Sequence, residues 1–383
     1  MHNKKIVICV TGSVAAIETP KLVRELRRQG AVVHCVMSKA AQKVIHPDVL
    51  HWASDNRVIT KLTGECEHVK LCGLVPDKAD LVLIAPSTAN TIGKIASGID
   101  DTPVTTVVST AIGSKIPIII VAAMHYSMYD NPFVQDNIKK LKKHGIDFIA
   151  PKIEENKAKF PDLNKIINII DLKFRKKDLK SKNILVTAGA TIEQIDSVRY
   201  ITNKSSGKMG IAIANEAYAR GANVTLISAK TRVEPKYCYD NLKVQNTKEM
   251  LNAIKNNIKK NNVIIHAAAV SDFTCNKTRG KLDSKNKLEL KLKPTEKILE
   301  KIKTWNKKIF VIGFKAEHGK KQLVEKAKEK LRYADLIVAN DISKDVFNSD
   351  FNEVIMIDKN KNITKIPRMH KKDIANKILE KIK

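Results

Sequence analysis

Paired cysteines are missing from this chain. Its six cysteines, Cys9, Cys35, Cys66, Cys72, Cys238 and Cys275, contain no Cys-x-x-Cys spacing. That argues against a disulfide scaffold, and reduced, mostly structural thiols are expected. Long hydrophobic runs are missing too: the longest, "IPIIIVAA" from Ile116 to Ala123, has the length of a strand, against the roughly 18 residues of a membrane span. No membrane partner is expected. The opening "MHNKKIVICV" enters a strand without a cleavage region, so no signal peptide is expected and the cytoplasm is the expected compartment. Aromatics make up only 5% and acids are outnumbered, 40 against 69 lysines and arginines, for a net charge of +29. The bases are spread along nearly every helix and loop with no stacking motif among them. A nucleic-acid partner would need them concentrated, so a solvated, lysine-rich surface is expected instead. Neither of the two strand-to-helix turns described below reads Gly-x-Gly-x-x-Gly, which disfavours a nicotinamide-linked dehydrogenase.

What the chain does contain is an alternation of strand-like and helix-like segments, run twice. With 383 residues there is room for two domains, each with its own core. In the first half "KIVICVTG" (Lys5 to Gly12), a helix through "PKLVRELRRQG", "AVVHCVMS" (Ala31 to Ser38), "ADLVLIAPS" (Ala79 to Ser87) and "IPIIIVAAM" (Ile116 to Met124) succeed one another. These β-branched runs are almost unbroken by polar residues, as strands buried on both faces are, and predict a doubly wound parallel sheet of flavodoxin or Rossmann type. A tract with six basic residues and one acid, Leu172 to Lys182, reads as a solvated linker, giving domains at 1–175 and 183–383 around a basic linker at 176–182. The alternation then restarts with "NILVTAG" (Asn183 to Gly189), "GIAIANEAYARGA", "NVTLISA" (Asn223 to Ala229), "NVIIHAAAVSDF" (Asn262 to Phe273), "KIFVIGF" (Lys308 to Phe314) and "ADLIVAND" (Ala334 to Asp341). The strict alternation of "KLELKLK", Lys287 to Lys293, predicts a half-exposed antiparallel strand, so the second domain is expected to be Rossmann-like α/β with an arm.

In the first domain "TGSVAAIETP" follows a strand and opens a helix, placing Gly12 and Ser13 at a positive helix end suited to phosphate; the same residues also describe any tight strand-to-helix turn. Three more stretches sit where a ligand crevice forms in an open α/β sheet: "GECEHVKL" with His68, "APSTAN" with Asn90 and "AAMHYSMYDNP" with Met124 and His125. His68 alone also reads as a satisfied surface histidine, and "ECEH" as a chance cluster of metal-ligand types. In this order the four stretches resemble the flavin-containing cysteine decarboxylases, specifically the phosphopantothenoylcysteine decarboxylase half of the bifunctional coenzyme A biosynthesis proteins. The resemblance implies that Gly12, Ser13, Ser38, Ser87 and Met124 surround FMN, that His68 is the catalytic base, and that Asn90, with Met124 and His125, contacts the substrate, Asn90 through its cysteine carboxylate. It also implies the chemistry, in which flavin oxidises the cysteinyl side chain and the resulting electron sink lets carbon dioxide leave. Two departures are visible. "MHYSMY" puts His125 and Tyr129 where the family has Asn and Trp, and "APKIEENKAKFPDLNKI" lacks the clamp cysteine of bacterial members. Either another donor, Lys157, Lys159 or water, serves the last proton transfer, or the clamp works differently.

In the second domain "TAGATIEQIDSVRYITNKSSGKMG" resembles the phosphopantothenate-cysteine ligase signature. By that resemblance Asn203 handles an acyl-nucleotide intermediate, Arg199 lies in the substrate loop, and Ser205 to Lys208 lead into a helix whose N–H groups can meet phosphate. "HAAAVSDF" would place Ala267, Ala268 and Asp272 against CTP, "GKLDSK" would supply Lys281 from the arm, and "GFKAE" would supply Phe314. Lys328 and Arg332 fall on the family's two basic CTP-contacting positions. The implied protein is a homo-oligomer, a dodecamer of decarboxylase trimers and ligase dimers. It joins phosphopantothenate to cysteine with CTP and Mg²⁺, then decarboxylates the product with FMN. The alternative is a flavin-dependent decarboxylase or prenyl-transferring relative acting on something else, its second domain without catalysis.

Overall fold

The computed structural model describes residues 1–154, 157–283, 289–343 and 349–382. The chain divides into two compact units, Met1–Phe174 and Arg175–Lys383. In the first unit five parallel strands lie in the order Val32–Met37, Lys5–Val10, Leu81–Ser87, Ile118–Ala122, Asp147–Ile149. In chain order that is 2-1-3-4-5, the flavodoxin order, whose direction of winding reverses between the first and third strands. The first strand shows why: Ile6, Ile8 and Val10 face a core shared with Leu22, Val23 and Leu26 of the helix Thr19–Arg28 and with Ile166 and Ile170 of the helix Leu163–Phe174. Val7 and Cys9 face the opposite core with Ile92, Val107 and Ile138 from three other helices. A strand buried on both faces has no place for polar residues, hence the continuous apolar runs. The last strand, Asp147–Ile149, covers three residues and is too short to show a pattern in sequence.

The second unit carries an eight-stranded sheet in the order Asp240–Lys243, Asn223–Ser228, Asn183–Ala188, Val263–His266, Phe310–Glu317, Leu336–Asp341, Phe351–Asp358, Ile363–His370. The first six are parallel in the doubly wound order 3-2-1-4-5-6, and the last two are antiparallel. The reversal here falls between Asn183–Ala188 and Val263–His266. Both sheets are thus α/β and doubly wound, as expected, while the C-terminal antiparallel pair is a finding of the structure.

Two local expectations change. The tract from Leu172 is not a free linker: Leu172–Phe174 finish a helix, Leu179 is buried in the core of the second unit, and Asp178 pairs with Arg220 at 2.5 Å. A single leucine with a core to enter outweighs the solvation of its charged neighbours. In the arm, Lys287 and Leu288 lie outside the described residues, and 289–292 form no strand. Only Lys293–Pro294 pairs, antiparallel to Phe273–Thr274. Leu290 and Leu292 stay exposed; alternation makes a strand only where one face finds something to bury against. The cysteines carry no disulfide among the described residues, and Cys9, Cys35 and Cys72 are buried. Burial pushes the Cys35 thiol up to about 12, which suits inert core thiols. Among the described residues no helix is long and apolar enough to cross a membrane.

Candidate active sites

At the carboxyl ends of the first sheet the loops are tied together across the reversal. Thr11 Oγ1 donates to the Pro86 carbonyl (2.9 Å) and accepts the Thr88 N–H (3.2 Å), which joins the turns after the first and third strands. Gly12 is required by packing, since a Cβ there would sit 2.4 Å from Cβ of Ala40. Ser13 caps a short 3₁₀ turn, Val14–Glu18, and its hydroxyl donates to the Ala123 carbonyl at 3.1 Å, tying this turn to the end of the fourth strand. Ser38 Oγ accepts the Ala41 N–H (3.2 Å) beyond the second strand. Ser87 is fully buried, and its Oγ has no hydrogen-bond partner. A buried hydroxyl left unpaired at a winding reversal marks a place where a ligand atom belongs. Ala123, whose N–H donates to the Ser87 carbonyl (3.0 Å), lines a cavity of about 750 Å³ together with Ser13, Met124, His125, Lys159, Phe160 and Asp162; Ser87 itself does not line it. Part of the lining belongs to a three-stranded flap: Met124–His125 pairs antiparallel with Lys157–Lys159, which pairs in turn with Lys152–Glu154.

His68 and Asn90 stand apart from this cavity. His68 lies on the six-residue helix Glu67–Cys72, anchored by buried Leu71 and Cys72; its Nδ1 is buried with no partner. Glu67 accepts from Thr63 N–H (2.9 Å) and Oγ1 (2.6 Å), and these bonds, the hydroxyl first, hold its carboxyl at about 2. Asn90 is exposed at the start of the helix Ala89–Ser97. Among the described residues no group of three or more His, Cys, Asp or Glu is placed to hold a metal, so "ECEH" makes no such cluster.

The second sheet has the same kind of crevice at its reversal. Three glycines share the work that a continuous dinucleotide fingerprint does in one turn. Gly189 has φ +86° with a Cβ position 2.6 Å from the Lys230 carbonyl oxygen, Gly207 has φ +76°, and a Cβ on Gly210 would lie 2.6 Å from that of Ala188. The first makes the turn, the second starts the helix Lys208–Ala219, and the third lets helix and strand touch. Residues 190–206 are inserted between them, which is why no compact motif is visible. A cavity of about 690 Å³ opens there, lined among others by Asn203, Gly207, Ala267, Ala268, Asp272 and Phe314. Asn203 Nδ2 donates to the carbonyls of Ala269 (3.1 Å) and Val270 (3.2 Å), which fixes the wall after the fourth strand. Asp272 pairs with Lys297, and Lys330 with Glu300 at 3.1 Å, all four lining the cavity.

Residues 179–383 match the family model described as DNA/pantothenate metabolism flavoprotein C-terminal domain, and residues 1–175 match the Flavoprotein model. The coenzyme A biosynthesis bifunctional protein CoaBC of Thermococcus kodakarensis is 49% identical over 387 residues, covering 99% of this chain and 95% of that one. Its counterpart in Methanocaldococcus jannaschii is 42% identical, covering 100% and 94%. The solved C-terminal domain of a CoaBC protein is 36% identical over 54% of this chain and 96% of its own, with a TM-score of 0.46. The chain belongs to the family of bifunctional coenzyme A biosynthesis proteins. It is an enzyme of that pathway with a decarboxylase half and a ligase half.

For a bifunctional coenzyme A biosynthesis protein the expected site residues divide unevenly. Ser13, Met124 and His125 meet at the first cavity; Gly12, Ser38 and Ser87 belong to the surrounding turns; His68 and Asn90 do not line it. At the second cavity Asn203, Ala267, Ala268, Asp272 and Phe314 come together, while Arg199, Lys281, Lys328 and Arg332 do not line it. Arg199 is engaged elsewhere: Nη1 donates to Asp196 Oδ2 (2.7 Å) and to the Leu282 carbonyl (3.1 Å). Asp196, itself buried, accepts the N–H groups of Arg199 (2.6 Å), Val198 (2.7 Å) and Leu282 (3.1 Å), and these bonds, that of Arg199 first, hold its carboxyl at about 2. The Thr278 N–H donates to Ile195 O (2.9 Å) and the Ser197 N–H to Gly280 O (3.1 Å). Lys281, exposed, therefore rides on a segment stapled to the Asp196 turn. Lys328 is exposed and Arg332 stacks on Tyr333 at 4.8 Å, while Lys330 turns to the cavity. Sequence reading also passed over His266 and Asn340, the latter with a buried, unpaired Oδ1. His266 stands inside the quoted "HAAAVSDF"; its signal was its place at a strand's carboxyl end.

Proposed function

We propose that the second unit condenses 4′-phosphopantothenate with cysteine through an acyl-cytidylate made from CTP, and that the first decarboxylates 4′-phosphopantothenoylcysteine to 4′-phosphopantetheine with FMN. The observation that carries this reading is a crevice at the carboxyl ends of each sheet's strands, one bounded by the turn after the first strand, where Ser13 stands, and the other beside a glycine-lined helix start. The ligase product is then the decarboxylase substrate, which gives two doubly wound units a reason to share a chain.

In the ligase half the carboxylate of phosphopantothenate attacks the α-phosphorus of CTP and releases pyrophosphate. The amine of cysteine then attacks the mixed anhydride, forming the amide and CMP. Asn203 is placed to hold the loop that walls the anhydride, Gly207 and the start of the following helix supply N–H donors, and Lys297 and Lys330 offset developing charge. The cavity carboxylates Asp272, Glu296 and Glu300 each pair with a lysine. Mg²⁺ therefore enters as part of the metal–nucleotide substrate, with the phosphates as its main ligands. Lys281, carried on the stapled segment, is the cation assigned to close over the intermediate. Lys328 and Arg332 remain assigned to the outer phosphates.

In the decarboxylase half Gly12, Ser13, Ser38, Ser87 and Met124 are assigned to FMN, and the unpaired Ser87 hydroxyl fits a polar edge of such a group. Bound there, FMN would accept two electrons from the cysteinyl side chain, making loss of carbon dioxide possible, and return them so that the product is again a thiol. His68 is assigned proton removal, Asn90 the substrate carboxylate, and His125 a substrate contact. Lys159, on the flap wall, is the chain's own group in reach of the last protonation. The separation of His68 and Asn90 from the cavity, together with exposed Leu74, Phe133 and Val14, supports completion of this site by further copies, in a dodecamer of decarboxylase trimers and ligase dimers. The test is incubation with phosphopantothenate, cysteine, CTP and Mg²⁺, following products by mass. Phosphopantetheine and CMP are expected; persistence of phosphopantothenate would refute the ligase assignment, and accumulation of phosphopantothenoylcysteine the decarboxylase one.

A further inference from the structure

His266 ends the fourth strand of the second sheet, is only 9% exposed, and lines the cavity. Its ring is gripped from one side. Thr187 Oγ1, on the neighbouring strand, lies 2.9 Å from His266 Nδ1 and accepts the Ala268 N–H at 3.1 Å. Thr187 is fully buried, and among the described residues Nδ1 is the only acceptor bonded to its hydroxyl proton. Any arrangement in which Nδ1 carries a proton would strand that hydroxyl hydrogen in the core, a loss avoided if the hydroxyl donates to a bare Nδ1. Burial also lowers the imidazole to about 4, so the ring is neutral at working pH. The proton therefore sits on Nε2, on the opposite edge of the ring, where no partner is found among the described residues, in a residue that lines the cavity.

We infer that His266 is a nucleotide-binding residue of the ligase half, donating a hydrogen bond from Nε2–H to an oxygen of the bound nucleotide. This rests on the ligase reading above. The donor differs in kind from the lysines around it: it adds no charge and stays a donor at any working pH. The nucleotide, not phosphopantothenate, is the assigned ligand because Ala268, held by the same threonine hydroxyl, belongs to the loop assigned to CTP.

The test uses the full chain. The ¹⁵N spectrum of the imidazoles, with His266→Gln to assign the signal, should show a neutral ring protonated at Nε2; a proton on Nδ1 would overturn the inference. His266→Leu should weaken binding of CTP with Mg²⁺, measured by calorimetry, and raise its KM by about tenfold or more, leaving the KM for phosphopantothenate within about twofold. His266→Gln, which keeps a donor near the same place, should recover most of the loss. Thr187→Val should lose affinity while Thr187→Ser keeps it, which serves as the independent check should His266→Leu fail to fold. Unchanged CTP affinity in His266→Leu, or a change confined to phosphopantothenate, would refute the inference. If the parent enzyme uses ATP in place of CTP, the nucleotide assigned above is wrong, and His266 is judged by the same variants on ATP.

Discussion

In the first unit the cavity gathers Ser13, Met124 and His125, and the histidine assigned to proton transfer stands on a separate short helix. In the second, the asparagine assigned to the intermediate, the aspartate assigned to the nucleotide and the backbone of the phosphate turn all line one space. Both crevices lie at the carboxyl ends of a doubly wound sheet's strands, where such a sheet leaves an opening. What differs is the origin of the working side chains. In the second unit they stand on loops leaving adjacent strands, so folding the sheet brings them together. In the first, His68 and Asn90 start helices that the sheet does not bring to the cavity.

The contrast can be broken most sharply by single substitutions read on both half-reactions. His68→Ala is expected to slow decarboxylation by about 10³-fold, within the range for losing a general acid–base group, while CMP release stays at the parent rate. A decarboxylation rate within a few-fold of the parent would remove His68 from the chemistry. Asn203→Ala should act on the other half alone, lowering amide formation by about 10²-fold with acyl-cytidylate accumulating; decarboxylation of supplied phosphopantothenoylcysteine should be unaffected.

Acid should also separate the units. His266 has its folded value lowered to about 4 from an unfolded value near 6.5, so the unfolded chain binds its proton first as pH falls. The stability contributed by keeping it neutral is fully present above about 6.5 and is lost as pH drops toward about 4, roughly 2 kcal/mol of it by pH 5. Hydrogen exchange should show the strands around Val263–His266 opening in that window, and His266→Leu should flatten the response. The smallest effect is expected for Asp196→Asn. It loosens the staple that holds the segment carrying Lys281, and the ligation rate should fall by about tenfold, with protease cleavage appearing near residues 278–282. A cleavage pattern identical to the parent would show that other bonds hold the arm.

Much of the architecture was legible in the chain because strands buried on both faces have to be written as nearly unbroken β-branched runs. Lys5–Val10, Leu81–Ser87 and Asn183–Ala188 all stand inside such runs. The strand Asp147–Ile149 was not, because three residues carry no period. The antiparallel pair Phe351–Asp358 and Ile363–His370 mixes buried and exposed positions, and its bulge between Asn352 and Val354 breaks the alternation. The arm failed in the opposite sense: Leu290 and Leu292 alternate correctly but find nothing to cover them. Among the residues that line the second cavity, family motifs include Asn203 and Asp272, on loops that follow strands, and Phe314, within the strand Phe310–Glu317, but not Lys330, which differs from Lys328 only in the helix face it occupies.

By itself the sequence determined the two α/β units, their repeated strand–helix alternation and the stretches that carry the family resemblance, because burial on both faces and turn geometry act between near neighbours. Only the tertiary structure decided that Asp196 ties Arg199 and Leu282 together, that Lys330 and not Lys328 turns inward, and that the ring of His266 meets the hydroxyl of Thr187. Those outcomes depend on partners far apart in the chain, such as Thr187 and His266, 79 residues apart, which meet only when neighbouring strands pair, and no local pattern encodes such a meeting.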